Sequence, residues 1–292
     1  MEIQIPLVLF IAFCALSAGI LASQAVLALT KRGDEVQMPS LIASFASLVI
    51  GGIAVLFHLA QPLHIFNGFG NPSSGITQEL IAIVVVVIVM LVYFIMLRRS
   101  NKVPAWLAVV AIVAALALDI VCAHSYMMAS RPAWNSVLQV LSVVGGSCAV
   151  GTAVVAAIAG AKKSEAAAFA GTLTLAGTVV GLVCAVAYIA ALSSTSGSLA
   201  SFGTYIDPTN PTAALFDASS ATPFAPAIMP ATCTAIIASI VSVVAAVVGR
   251  SKGNWAVWGA IAVIAALIAI IALRVVFYMM GVSVYNFYGI TG

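Results

Sequence analysis

The sequence predicts an all-α fold: a polytopic integral membrane protein in which residues 1–292 form one bundle of eight transmembrane helices. Two observations predict it. Hydrophobic residues make up 63% of the chain and charged residues only 7%, against about 25% charged in a soluble domain. No polar shell can be built from so few charges. The apolar residues also gather into eight continuous runs, each near the ~20 residues that a helix needs to cross a bilayer. These features exclude a soluble enzyme and a disordered chain, which requires low hydrophobicity and high charge. They also speak against nucleic-acid binding, because no broad basic face stands out. A membrane β-barrel would show short alternating strands rather than long apolar runs.

The spans follow in order. The first, residues 5–30, stops at Lys31-Arg32-Gly33-Asp34-Glu35. The second, 40–66, carries His58 and His64 late in its course, and the third, 78–98, opens beside Glu79 and closes at Arg98-Arg99-Ser100-Asn101-Lys102. The fourth, 103–129, holds Asp119 and His124 towards its end, and the fifth, 133–160, closes at Lys162-Lys163-Ser164-Glu165. The sixth, 166–193, leads into a connection at 194–222 rich in Ser, Thr, Gly and Pro. So long a loop is often a lid or a docking surface. The seventh, 223–249, ends at Arg250-Ser251-Lys252-Gly253, and the eighth, 254–282, contains Arg274. Valine is abundant in these runs and is a poor helix former in water. In lipid, however, the backbone must satisfy its own hydrogen bonds, and the helix does so.

Nine of the eleven Lys and Arg residues lie in the loops after odd-numbered spans. By the positive-inside rule that side should be cytoplasmic, with both termini outside. The basic pair at 31–32 follows the first apolar run instead of preceding it, so a cleaved signal peptide is not expected. Trp106, Trp255, Trp258 and Trp134 fall near predicted span ends, as an aromatic belt would. Cys14, Cys122, Cys148, Cys184 and Cys233 share no CxxC spacing and suit small buried hydrophobes.

Ionisable residues within a membrane are costly and mark functional candidates. His58, His64, Glu79, Asp119, His124 and Arg274 all fall in the outer half of the expected bundle. The spacing places His58 roughly 12 Å below the outer end of its helix. Singly, each has a plainer reading. A buried histidine suits a hydrogen-bonded core, Glu79 suits a first-turn carboxylate at a positive helix end, and Asp119 with Arg274 suits one interhelical ion pair. As a set they describe a polar cavity open towards the outer face. A histidine and a carboxylate there can accept the two protons of a hydroquinone. Phe66, Tyr126, Met127, Phe277 and Tyr278 could line an apolar slot for its ring. There is no cysteine cluster for iron–sulfur ligation. Three histidines, all on one side, exclude a transmembrane di-haem chain, so the electrons would have to leave for a partner.

The run His58-Leu59-Ala60-Gln61-Pro62-Leu63-His64-Ile65-Phe66-Asn67, followed by Gln78-Glu79-Leu80, resembles the DmsC family. These are the membrane anchor subunits of dimethyl sulfoxide reductase and related molybdoenzymes. Pro132-Ala133-Trp134-Asn135 and Arg274-Val275-Val276-Phe277-Tyr278 are weaker echoes of the same family. The chain departs from the pattern at His64, where the family has a basic residue, and at His124, where an arginine would be expected before Tyr126. The resemblance implies a heterotrimer in the cytoplasmic membrane of a prokaryote. This chain would anchor a four-cluster iron–sulfur subunit and a molybdopterin catalytic subunit without catalysing the terminal reduction. It would oxidise menaquinol with His58 and Glu79 as the proton-handling residues. His64, Asn67, His124, Tyr126, Arg274 and Tyr278 would complete the quinol site, with no haem and no metal in this chain. Asp207 and Asp217, in the 194–222 loop, would suit docking of the iron–sulfur subunit. Protons and electrons would both leave on the outer side, so turnover should be electroneutral. Two alternatives stay open: a quinol anchor of the NrfD or polysulfide-reductase type, and a small-solute transporter. For the transporter, Gly51-Gly52 and Gly145-Gly146 would be helix breaks, although small residues also serve close helix packing.

Overall fold

The computed structural model describes residues 3–59, 67, 69–203 and 220–285. Among the described residues the chain forms the helices α1 Ile5–Leu29, α2 Asp34–Leu56, α3 Gly75–Ser100, α4 Ala105–His124, α5 Val137–Ala161, α6 Ala167–Leu192, α7 Thr195–Gly203, α8 Met229–Lys252 and α9 Trp255–Met279. Eight helices are long and apolar enough to cross a membrane.

Four tight turns join the helices into antiparallel hairpins: α1 with α2, α3 with α4, α5 with α6 and α8 with α9. The turns require left-handed backbone at Lys31 (φ 56°), Gly33 (71°), Asn101 (54°), Lys163 (53°) and Gly253 (70°). Among the described residues every positive φ falls in one of these turns. The same turns carry the basic residues. Arg98 and Arg99 close α3, and Arg250 and Lys252 close α8, so cations sit at negative helix ends. One end of the bundle, called the basic end below, therefore combines positive charge with short connections. The longer connections all lie at the other end.

Several boundaries differ from expectation. α2 begins at Asp34 rather than residue 40, because Asp34 and Glu35 favour the positive end of the helix. Pro39 falls in its second turn and does not stop it. The same helix closes at Leu56, so His58 lies in the turn beyond it and not deep within a span. α4 closes at His124, short of 129, and α5 opens at Val137 with Ser136 as its cap, accepting from Leu138 N at 3.2 Å. α8 opens at Met229 instead of 223. The 194–222 connection starts as the helix α7; Asp207 and Asp217 lie outside the described residues.

Packing is driven by shape, since lipid tails are as apolar as leucine. Large side chains face outwards: Ile42, Phe45, Val49 and Ile53 on α2, and Ile237, Ile240, Val244 and Val247 on α8, are exposed. Small ones face inwards. α1 and α5 form the most buried pair and cross where Gly19 meets Ser147 and Gly151, so closely that a Cβ on either glycine would strike backbone. Gly145 and Gly181 seat α5 against α6 in the same way, a Cβ on either meeting side-chain carbon at 2.8 Å. Helices α2 and α5 run unbroken through Gly51-Gly52 and Gly145-Gly146. Trp106 is 57% exposed at the basic end. Trp255 is buried against Gly171 and Gly249, and Trp134 is also buried, so these two serve packing and not an interfacial belt. The cysteines are all free; Cys14 and Cys122 are buried, Cys148 and Cys184 intermediate and Cys233 exposed.

Candidate functional site

A cavity of about 430 Å³ opens at the end of the bundle opposite the basic turns. Its volume falls in the range of small-molecule pockets, about 300–1,000 Å³. Five parts of the chain build it. Leu7 and Phe10 come from the start of α1, Val55 from the end of α2, and His58 and Leu59 from the turn beyond it. Gly75, Ile76, Glu79 and Ile83 come from the start of α3, and Ser125, Tyr126 and Met128 follow α4. Trp134 and Tyr278 close the far wall. α2 touches α3 only lightly. Beside the cavity Phe57 is 80% exposed and Ile76 58%. Side chains this apolar and this exposed suit a mouth facing lipid.

Glu79 is only 9% exposed. It sits one turn into α3, and its carboxylate accepts a hydrogen bond from the Ser125 hydroxyl. Gly75 allows this approach, since a Cβ there would lie 3.0 Å from Ser125 Cβ. His58 is exposed at the rim, held by its backbone N–H to Val55 O at 2.9 Å. The Tyr278 hydroxyl is buried beside Tyr126. The cavity thus offers a carboxylate, an imidazole, a phenol and mostly apolar walls.

The far wall is braced by rings. Trp134 stacks on Phe277 at 4.6 Å and 10°, and Tyr126 meets Trp134, Phe277 and Tyr278 edge-on. Trp134 Nε1 donates to Phe277 O at 2.7 Å, Arg131 donates to Gly281 O, and Val284 N donates to Ser130 O at 2.9 Å. Residues 125–136 are thereby fastened to the end of α9.

The structure brings His58, Glu79, Tyr126 and Tyr278 to one cavity. It does not bring Asn67 or His124 there: both are exposed, and neither lines it. His64 and Phe66 lie outside the described residues. Met127 and Phe277 do not line the cavity; Phe277 backs the wall. Arg274 is 2% exposed and donates to Ser142 Oγ at 2.9 Å, with its second terminal nitrogen unpaired. Asp119 is also 2% exposed, lies against Ser147, and keeps one oxygen without a partner. The expected Asp119–Arg274 ion pair does not form, since each polar head turns to a different serine of α5. Ser125 was missed by sequence reasoning; its position between His124 and Tyr126 was the only signal for it. Among the described residues no three His, Cys, Asp or Glu side chains gather as metal ligands. Compared with known proteins, the chain matches no family model, and no curated protein matches it.

Proposed function

We propose that the chain is a quinol-oxidising membrane anchor subunit of the DmsC type, seated in a prokaryotic cytoplasmic membrane with its basic end inside. The observation that carries this reading is the cavity at the end opposite the basic turns, with Glu79 buried in its wall and His58 at its rim. A mouth between α2 and α3 suits a substrate dissolved in lipid, such as menaquinol. Its ring would lie against Phe10, Tyr126 and Trp134. Glu79 would take one hydroxyl proton and His58 the other, and the two electrons would pass to an iron–sulfur subunit docked over the same end. A molybdopterin subunit would complete the heterotrimer. Ser125 would hold the Glu79 carboxylate towards the ring. The unbroken helices at Gly51-Gly52 and Gly145-Gly146 remove the sequence feature that had favoured a transporter.

The test is purification of the tagged chain in mild detergent, followed by metal analysis and a reduced-menaquinone assay. Iron with molybdenum or tungsten in co-purifying subunits, together with quinol oxidation, is the expected result. A chain that purifies alone, without metal and without quinol oxidation, would overturn the reading and favour solute transport.

A further inference from the structure

A second cavity, of about 580 Å³, opens at the basic end between α1, α2 and the α3–α4 turn. Lys31, Asp34 and Lys102 stand at its mouth, and Ala28 and Gln37 line it. From there a polar seam continues into the bundle between α1 and α2. Gln37 donates to Gln24 O at 3.0 Å and accepts from the Tyr93 hydroxyl at 2.8 Å. Deeper still, Ser44 donates to Ser17 O at 2.7 Å, and the two hydroxyls lie 3.2 Å apart. These two cross-links set the register of the hairpin. On α1, Ala28, Gln24 and Ser17 share a face, and on α2, Gln37, Ser40 and Ser44 share the face opposite. Gln24 thus lies level with Gln37 and two turns above Ser17, and Ser40 lies about one turn below Gln37 and one turn above Ser44.

Gln24 and Ser40 are enclosed by the packed helices. Both are 0% exposed. The Gln24 side chain has no partner for its amide nitrogen or its oxygen, and the Ser40 hydroxyl has none either. Buried polar groups are almost always satisfied, by protein or by ordered water. Here three unsatisfied atoms lie along the stretch between an open cavity and the serine pair.

We propose that this seam is a water-filled half-channel that carries water and protons from the basic-end face to the middle of the bundle. Waters entering past Gln37 bond to Gln24 and Ser40 and reach Ser17 and Ser44. A proton moves along them by hops between oxygens, each water accepting one proton and releasing another. Ser44 lies ten residues into α2, about 15 Å at 1.5 Å per residue, half of a ~30 Å hydrocarbon core. Beyond it the seam closes: Gly51 packs on Phe10 and Phe13, where a Cβ would meet Phe13 Cβ at 3.2 Å. The groups along the deeper seam are neutral amides and hydroxyls plus the Tyr93 phenol, so the path holds no fixed charge below its mouth. The proposal stands apart from the quinol reading, because its test needs no quinol.

The test is Ser40→Cys in the full chain, reconstituted in sealed vesicles of known sidedness. A small, charged, impermeant thiosulfonate is applied to one face at a time. Only a thiolate reacts, so the labelling rate reports proton exchange with the face that sets its pH. The expected result is labelling above the native-cysteine background from the basic-end face only. The rate should rise about tenfold per pH unit on that face and ignore pH on the other. Adding Gln24→Leu should slow labelling at least about tenfold, since the amide that holds the water is gone. No labelling from the basic-end face, or a rate that follows the opposite face's pH, would overturn the proposal. If Ser40→Cys does not fold, Ser44→Cys, one turn deeper, takes its place: labelling from the basic-end face upholds the half-channel, and its absence overturns it.

Discussion

Glu79 meets Ser125 in a wall that is otherwise largely carbon, and the consequences of changing either group differ in kind. On the proposed reading, Glu79→Gln keeps the shape but removes the base, so quinol oxidation should fall at least about 100-fold with complex yield unchanged. His58→Ala should do the same from the rim; either variant retaining full quinol activity would place the chemistry elsewhere. Ser125→Ala removes only the hydroxyl that orients Glu79. A loss of roughly tenfold is expected, recovered by Ser125→Thr, since one charge-assisted hydrogen bond is worth about 1.5–3 kcal/mol. Asp119 and Arg274 bond to different serines, so Asp119→Asn and Arg274→Met should act independently. A double-mutant cycle on thermal unfolding should close within about 0.5 kcal/mol; a larger coupling would restore the ion pair. The residues legible from sequence were those that stand out as ionisable against an apolar background, as His58 and Glu79 do. Ser125, Gln24 and Ser40 were not legible. Neutral small side chains look the same in sequence whether they pack a helix, orient a carboxylate or hold water.

At the scale of the helix, hydropathy locates the middle of every span and is blind to its ends. α2 shows why. Asp34, Glu35 and Pro39 look like loop, yet acids belong at a helix start and an early proline is absorbed there. At its other end the apolar run continues past Leu56 although the helix does not. That difference of a few residues moved His58 from a buried position to the cavity rim. Glycine also means different things along one helix. Gly151 of α5 faces the backbone of α1 at Gly19, so Gly151→Leu should abolish folded protein in detergent, seen as loss of the monodisperse species. Gly52 of α2 faces open space, with nothing within 4 Å of an added Cβ. Gly52→Ala should therefore be neutral or raise stability by about 0.5–1 kcal/mol in thermal unfolding. A severe loss there would mean that this stretch of α2 must bend.

Across the whole molecule, the two cavities lie at opposite ends and a closed stretch of bundle separates them. The seam stops at the Ser17–Ser44 pair, and Gly51 against Phe10 and Phe13 seals the rest. On the proposed reading, turnover of the complex in sealed vesicles should build no membrane potential, read with a voltage-sensitive dye. A sustained potential during quinol oxidation would show that the two ends communicate. Counting only acids and histidines along the chain leads to the same expectation, but that count overlooks the neutral seam entirely. Orientation is testable separately. Ser100→Cys should react from the cytoplasmic side and Asn135→Cys from the outside; the reverse pattern would invert the assignment.

The four tight turns have a further consequence for how such a chain can change over time. Lys31, Asn101, Lys163 and Gly253 each hold a left-handed backbone in a connection with no slack, so an insertion there would unpick a hairpin. Among the described residues the opposite connections hold no left-handed backbone, and residues 125–136 there are fastened to the end of α9 instead. Evolution, or an engineer adding a reporter or an affinity tag, has more room in the longer connections at the end opposite these turns, away from the cavity and residues 125–136. New partners would be acquired through the permissive end, while the basic end keeps the scaffold constant.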